Sequence, residues 1–152
     1  MEELLKLLQA KNLTLGSVES MTGGLFASEF TNVPGASKVF KGSLVTYHVS
    51  EKVNLLGISE DLINQFGVVS NEVAYEMAKR GRETLDVDVC VSVTGNAGPT
   101  CEPGGKPVGC VFIGLATKEK TLVKELSLDG DREKIRKNTV QIIEQFIKTT
   151  LF

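Results

Sequence analysis

Ser20 stands in Glu19-Ser20-Met21-Thr22-Gly23-Gly24, where a strand-like run breaks into a small polar turn and opens a helix. Such a turn presents a side-chain oxygen and backbone N–H groups to a ligand. Gly23 and Gly24 permit close backbone approach, and the helix start behind them favours an anion or a developing oxyanion. The structural alternative is that Ser20 or Thr22 caps that helix, worth about 1 kcal/mol. A nucleophilic serine needs a base. The chain has one histidine, His48, and its spacing does not single it out, so it reads as a polar surface residue. Lysine is the other choice. Lys52 follows Tyr47 in the first turn of an expected helix. It is a solvated surface residue unless its pKa falls from about 10.4 towards about 7, a shift of roughly 4 to 5 kcal/mol supplied by burial or neighbouring cations. The positive end of the helix dipole pushes the same way.

Two further clusters carry polar groups at suggestive spacing. Ser92-Val93-Thr94-Gly95-Asn96-Ala97-Gly98-Pro99 runs from a buried strand into a Gly-rich loop that either presents donors to a ligand or merely connects elements. It lacks the Gly-Lys-Ser/Thr ending of a P-loop. Arg132 and Arg136 lie four apart on the opening face of the last helix. They either clamp a phosphate or carboxylate or pair with local acids.

The elements that must hold these residues follow from periodicity. Residues 2–11 place Leu4, Leu5, Leu7 and Leu8 on one helical face, and residues 13–19 read as a strand. Leu25–Thr31 reads as a helix ended by Val33-Pro34-Gly35, and Val39–Tyr47 as a second strand. Ser50 reads as an N-cap; Ser59-Glu60-Asp61 opens a short helix ending near Phe66-Gly67, and Ser70 begins a longer one reaching Leu85. Val87–Val93 is a buried central strand, followed by the loop Thr94–Lys106. Val108–Thr117 and Thr121–Leu128 suit a hairpin, and a final helix from Gly130-Asp131 buries Ile135, Ile142, Ile143, Phe146 and Ile147. This alternation predicts a single domain over residues 1–152, a three-layer α/β/α sandwich around a mixed sheet. Ligands gather where loops leave the carboxyl ends of such strands, and the Ser20 turn and the Thr94 loop both do so.

Composition narrows the classes. With 152 residues, 41% apolar and 24% charged, the chain has the balance of a globular protein. A formal net charge of −2 gives no long-range attraction for nucleic acid or an anionic membrane. There is no apolar run of about 18 residues, and the amphipathic start is not a signal peptide. Cys90, Cys101 and Cys110 are an odd count without C-x-x-C spacing, which reads as reduced thiols in a cytoplasmic protein.

Six ordered motifs spanning nearly the whole chain then become informative together. They are Glu19–Gly24; Val45-Thr46-Tyr47 with Lys52; Gly67-Val68-Val69-Ser70; Thr94–Pro99; Lys106-Pro107-Val108-Gly109; and Gly130-Asp131-Arg132 with Arg136. In this the chain resembles the C-terminal domain family of the competence/damage-inducible protein CinA, whose stand-alone members are nicotinamide mononucleotide deamidases. The resemblance implies hydrolysis of the nicotinamide carboxamide to the acid with release of ammonia, in NAD recycling, by a serine/lysine pair without metal or cofactor. It implies Ser20 as nucleophile, Lys52 as general base, and Tyr47 and Thr94 as residues that orient the pair and assist proton transfer. Thr22, Gly23, Gly24 and Gly95 would meet substrate through the backbone. Arg132 would contact substrate or depress the Lys52 pKa, with Arg136 as the second choice. The larger CinA proteins carry an extra N-terminal domain for which this chain has no room.

The chain departs from the family at Tyr47-His48-Val49, where Tyr-Ser-Asn is common, so a polar contact of that asparagine is missing. A nucleotide-binding or regulatory module without turnover is therefore the second reading. A protein acting on nucleic acid finds no basic stripe to support it. A homodimer is the expected assembly.

Overall fold

The computed structural model describes every residue from Met1 to Phe152. Leu4, Leu5 and Leu8 form the buried face of α1 (Glu2–Ala10). The chain then enters β1 (Leu15–Glu19), buried at every position, and α2 (Leu25–Thr31). A single 3-10 turn, Ala36–Lys38, leads into β2 (Phe40–Val45). Three helices follow: α3 (Val49–Asn54), α4 (Glu60–Phe66) and α5 (Asn71–Leu85). The serines predicted to open the last two do so, Ser59 accepting from the Leu62 N–H and Ser70 from the Val73 N–H. The chain ends with β3 (Val89–Gly95), β4 (Cys110–Ala116), β5 (Thr121–Ser127) and α6 (Arg132–Leu151).

The strands form one mixed sheet in the order β2-β1-β3-β4-β5. Both β2 and β3 run parallel to β1, whereas β4 and β5 form the antiparallel hairpin expected from their short turn. Side chains alternate across β3 as a strand requires. Val89, Val91 and Val93 join the larger core with α1, α2 and α6, while Cys90 joins a second core with α5. Helices therefore cover both faces, and the three-layer α/β/α sandwich predicted from the sequence is the fold. Two details differ. β3 continues through Thr94 to Gly95, so the loop starts later than its glycines suggest, and Ile142 and Phe146 only flank the core that Ile135, Ile143 and Ile147 enter.

Two glycines let α5 lie close on the sheet. A Cβ at Gly81 would run into the Val18 side chain, and one at Gly114 would meet Ser92 Oγ and the Ala74 carbonyl. The Gly81 contact falls on Val18 of β1, which lies between β2 and β3. The connections leaving β1 and β2 go to opposite sides of β1, so its carboxyl end is the topological switch point of the sheet.

Candidate active site

At that switch point Glu19 ends β1 and Ser20 begins the turn. The Glu19 carboxylate, 1% exposed, accepts from Thr22 Oγ1 at 2.7 Å and from the N–H groups of Gly24, Phe26 and Ala27 at 3.0, 3.1 and 2.9 Å. Gly24 is the N-cap residue of α2, and no side chain at the cap position serves it. The capping alternative for Ser20 and Thr22 is thereby removed, because the buried carboxylate performs that task. Gly23 and Gly24 have φ of +59° and +94°, the left-handed region where a side chain is strained. Gly23 N–H donates back to Ser20 O at 2.9 Å, closing a four-residue turn. Of the backbone groups expected to serve an anion, Gly23 and Gly24 are thus already used within the turn.

Lys52 arrives from β2. Thr46 N–H continues the ladder to Glu19 O at 2.9 Å, and the chain turns into α3. The N-cap there is His48, not Ser50: its Nδ1 accepts from the Ser50 N–H. A ring nitrogen can accept as a hydroxyl does, so His48 supplies the cap of α3. Lys52 lies in the last turn of this short helix and is completely buried. Its Nζ is 3.1 Å from Ser20 Oγ and donates to Thr46 O at 2.6 Å. Burial pushes its pKa down from 10.5 to about 8. Loss of hydration is the cause of the shift; Lys52 lies in the last turn and not the first turn expected from the sequence, so the helix dipole does not push the same way. The Thr46 hydroxyl is the one buried side-chain oxygen or nitrogen without a partner.

The other expected residues divide. Thr94 is buried one step beyond the β3 residue that pairs with Glu19, yet its hydroxyl donates to Val68 O at 3.0 Å and makes no hydrogen bond to Ser20 or Lys52. Strand alternation places Thr94 on the α5 face with Cys90 and Ser92, where the Val68 carbonyl engages its hydroxyl. Tyr47 is 58% exposed and its hydroxyl accepts from Arg132 Nη2 at 2.9 Å. Arg132 also donates to Gly98 O at 2.7 Å. Arg136 donates to Met21 O and Thr22 O. Neither arginine pairs with an acid.

A cavity of about 510 Å³ opens beside these groups, its walls including Gly95, Asn96, Gly98, Lys106 and Arg132. Lys106, whose position in the sequence implied no role, adds a second cation to this wall. Ser20 and Lys52 are not part of the wall, and Ser20 is 8% exposed. A hollow of the same volume between α1, α2 and α6 includes neither Ser20 nor Lys52. Glu19 had no assigned role from the sequence, although a carboxylate before a Gly-rich helix start is the signal that would have found it.

The CinA C-terminal domain model matches residues 1–151. A CinA-like protein of Kosmotoga olearia is 42% identical over 150 residues, covering 99% of this chain and 36% of its own length. A protein of Thermoanaerobacter pseudethanolicus, provisionally named as competence-damage inducible, is 50% identical over 139 residues, 91% of this chain and 34% of its own. The chain thus spans about a third of the length of the curated relatives it matches. A crystal structure of a CinA superfamily protein from Escherichia coli superposes with a TM-score of 0.96 at 29% identity, covering 99% of this chain and 87% of that one. The competence/damage inducible protein CihA from Agrobacterium tumefaciens gives 0.89 at 31% identity, covering 97% and 93%.

Proposed function

Since the chain belongs to the CinA C-terminal domain family, we propose that it hydrolyses the carboxamide of nicotinamide mononucleotide to the acid and ammonia. The observation that carries this reading is a fully buried lysine amine 3.1 Å from a serine hydroxyl at the switch point of the sheet. Neutral Lys52 keeps an N–H on Thr46 O and accepts the Ser20 proton through its lone pair. Ser20 Oγ then bonds to the amide carbon, and the carbonyl oxygen becomes an oxyanion. The Lys52 ammonium returns its proton to the leaving nitrogen, the C–N bond breaks and ammonia departs. Water attacks the acyl-serine with Lys52 again as base, and the carboxylic acid is released. Arg132 and Lys106 in the cavity wall provide cationic donors for the nucleotide phosphate, and Tyr47 holds the Arg132 side chain.

Ammonia release from nicotinamide mononucleotide tests this directly. The wild type is expected to be active, and Ser20→Ala and Lys52→Ala to lose about 10³-fold or more. Full activity in the Lys52 variant removes the base assignment, and retained activity in the Ser20 variant removes the nucleophile. The near-complete cover over Ser20 favours a second reading, a nucleotide-binding module without turnover. That module is stabilised by the mononucleotide but yields no product.

A further inference from the structure

The Ser20 turn contains groups that the dyad leaves unexplained. The N–H groups of Met21 and Thr22 donate to nothing within the chain, although Thr22 is completely buried. A buried amide without a partner is costly, and few native structures retain one without a use. The carbonyls of the same two residues both accept from Arg136, Met21 O from Nε at 3.0 Å and Thr22 O from Nη2 at 2.8 Å.

Peptide geometry connects these facts. A trans peptide is planar, with C=O and N–H on opposite sides. The Met21 carbonyl and the Thr22 N–H belong to one such plane. Holding that oxygen against Arg136 turns the Thr22 N–H away from the guanidinium. The second bond does the same for the Thr22–Gly23 plane, whose N–H is directed at Ser20 O. In a turn opened by a serine, the N–H two residues on lies on the side of the serine hydroxyl; here Ser20 Oγ is engaged by Lys52 Nζ, and the Thr22 N–H is left free. An oxygen bound to the carbon that Ser20 Oγ has attacked lies in the same region. Glu19 meanwhile takes the Thr22 hydroxyl and leaves the Thr22 N–H free.

We propose that the Thr22 N–H is an oxyanion donor and that Arg136 is a positioning residue that aims it, not a ligand of the substrate phosphate. This rests on the reading of Ser20 as nucleophile. The direction of this amide is fixed in advance, and such donors act strongly in sites shielded from water; substrate reaches it by displacing the cover over Ser20 and Thr22.

The test compares wild type, Arg136→Met and Arg136→Lys. One readout is the rate at which a fluorophosphonate labels Ser20: Oγ bonds to phosphorus, fluoride leaves, and Lys52 takes the proton. The other is kcat and KM for nicotinamide mononucleotide and for the nucleoside that lacks its phosphate. Arg136→Met is expected to slow labelling and kcat by at least about 10-fold on both substrates, with KM within about threefold. Arg136→Lys, which retains a donor for one carbonyl, should recover part of the loss. If Arg136→Met does not fold, the lysine variant carries the same comparison. A loss confined to KM that disappears with the nucleoside overturns the proposal, as do unchanged labelling and a wild-type Ser20 that takes no label. A wild type that labels at Ser20 but releases no ammonia removes the amidase reading, while its labelling ratio to the variants still decides the role of Arg136.

Discussion

A lysine side chain wholly removed from solvent loses hydration that one hydroxyl and one carbonyl replace only in part. For Lys52 this lowers the pKa to about 8, which makes pH a direct probe of the site. In the proposed mechanism Lys52 is the base and must be neutral, so kcat/KM is expected to rise with pH and reach half its plateau near 8, while Lys52→Arg stays inactive throughout. Stability has its own signature. Below pH 8 the folded and unfolded chains both hold the proton, and the cost of the buried charge is constant. Between 8 and 10.5 the unfolded chain keeps a proton that the folded one releases, so folding becomes more favourable as pH rises. Lys52→Met lacks this dependence. Its stability relative to wild type should therefore fall by up to about 3 kcal/mol across that window, as read from denaturant midpoints.

At the scale of elements, the junction of β1 with α2 depends on one carboxylate. Glu19→Gln puts an NH2 group where an oxygen accepts from backbone N–H groups. It should cost about 2 to 3 kcal/mol and reduce kcat, measured by chemical denaturation alongside ammonia release. Helix α5 offers a test whose sign opposes simple propensity. Alanine normally improves a glycine within a helix by about 0.5 to 1 kcal/mol. Gly81→Ala is instead expected to destabilise by about 1 to 3 kcal/mol, because its methyl group meets Val18 and Cys90 across the helix–sheet contact.

For the whole molecule, the formal charge of −2 gives no long-range pull on an anion, so the proposed phosphate contact relies on the local cations at the cavity, Arg132 and Lys106. Saturating nicotinamide mononucleotide, at about 100 times its dissociation constant, should raise unfolding free energy by about 2.7 kcal/mol. DNA should give no steeply salt-dependent binding. No helix is long and apolar enough to cross a membrane. We further propose a homodimer, which sedimentation equilibrium checks directly. The curated relatives are about three times as long as the matched region, so their full activities need tests on those longer proteins.

Local signals were legible wherever they act over a few residues. Leu25–Thr31 and Glu60–Phe66 have the boundaries that apolar spacing and turn residues predict, and Ser59 and Ser70 cap their helices as expected. The order of motifs marked the family, and the alternation of elements marked the layered sheet. His48 at the cap in place of Ser50 shows the limit of such rules, because an imidazole nitrogen can accept as a hydroxyl does. Which partner each polar group takes was beyond the linear chain. Only the packed sheet brings Lys52 to Ser20, commits Glu19 to the start of α2, directs Thr94 towards Val68 and sets Arg136 on the Met21 and Thr22 carbonyls. Hydrogen bonding and desolvation depend on ångström distances between segments far apart in sequence, whereas helix and strand periodicity depends on near neighbours.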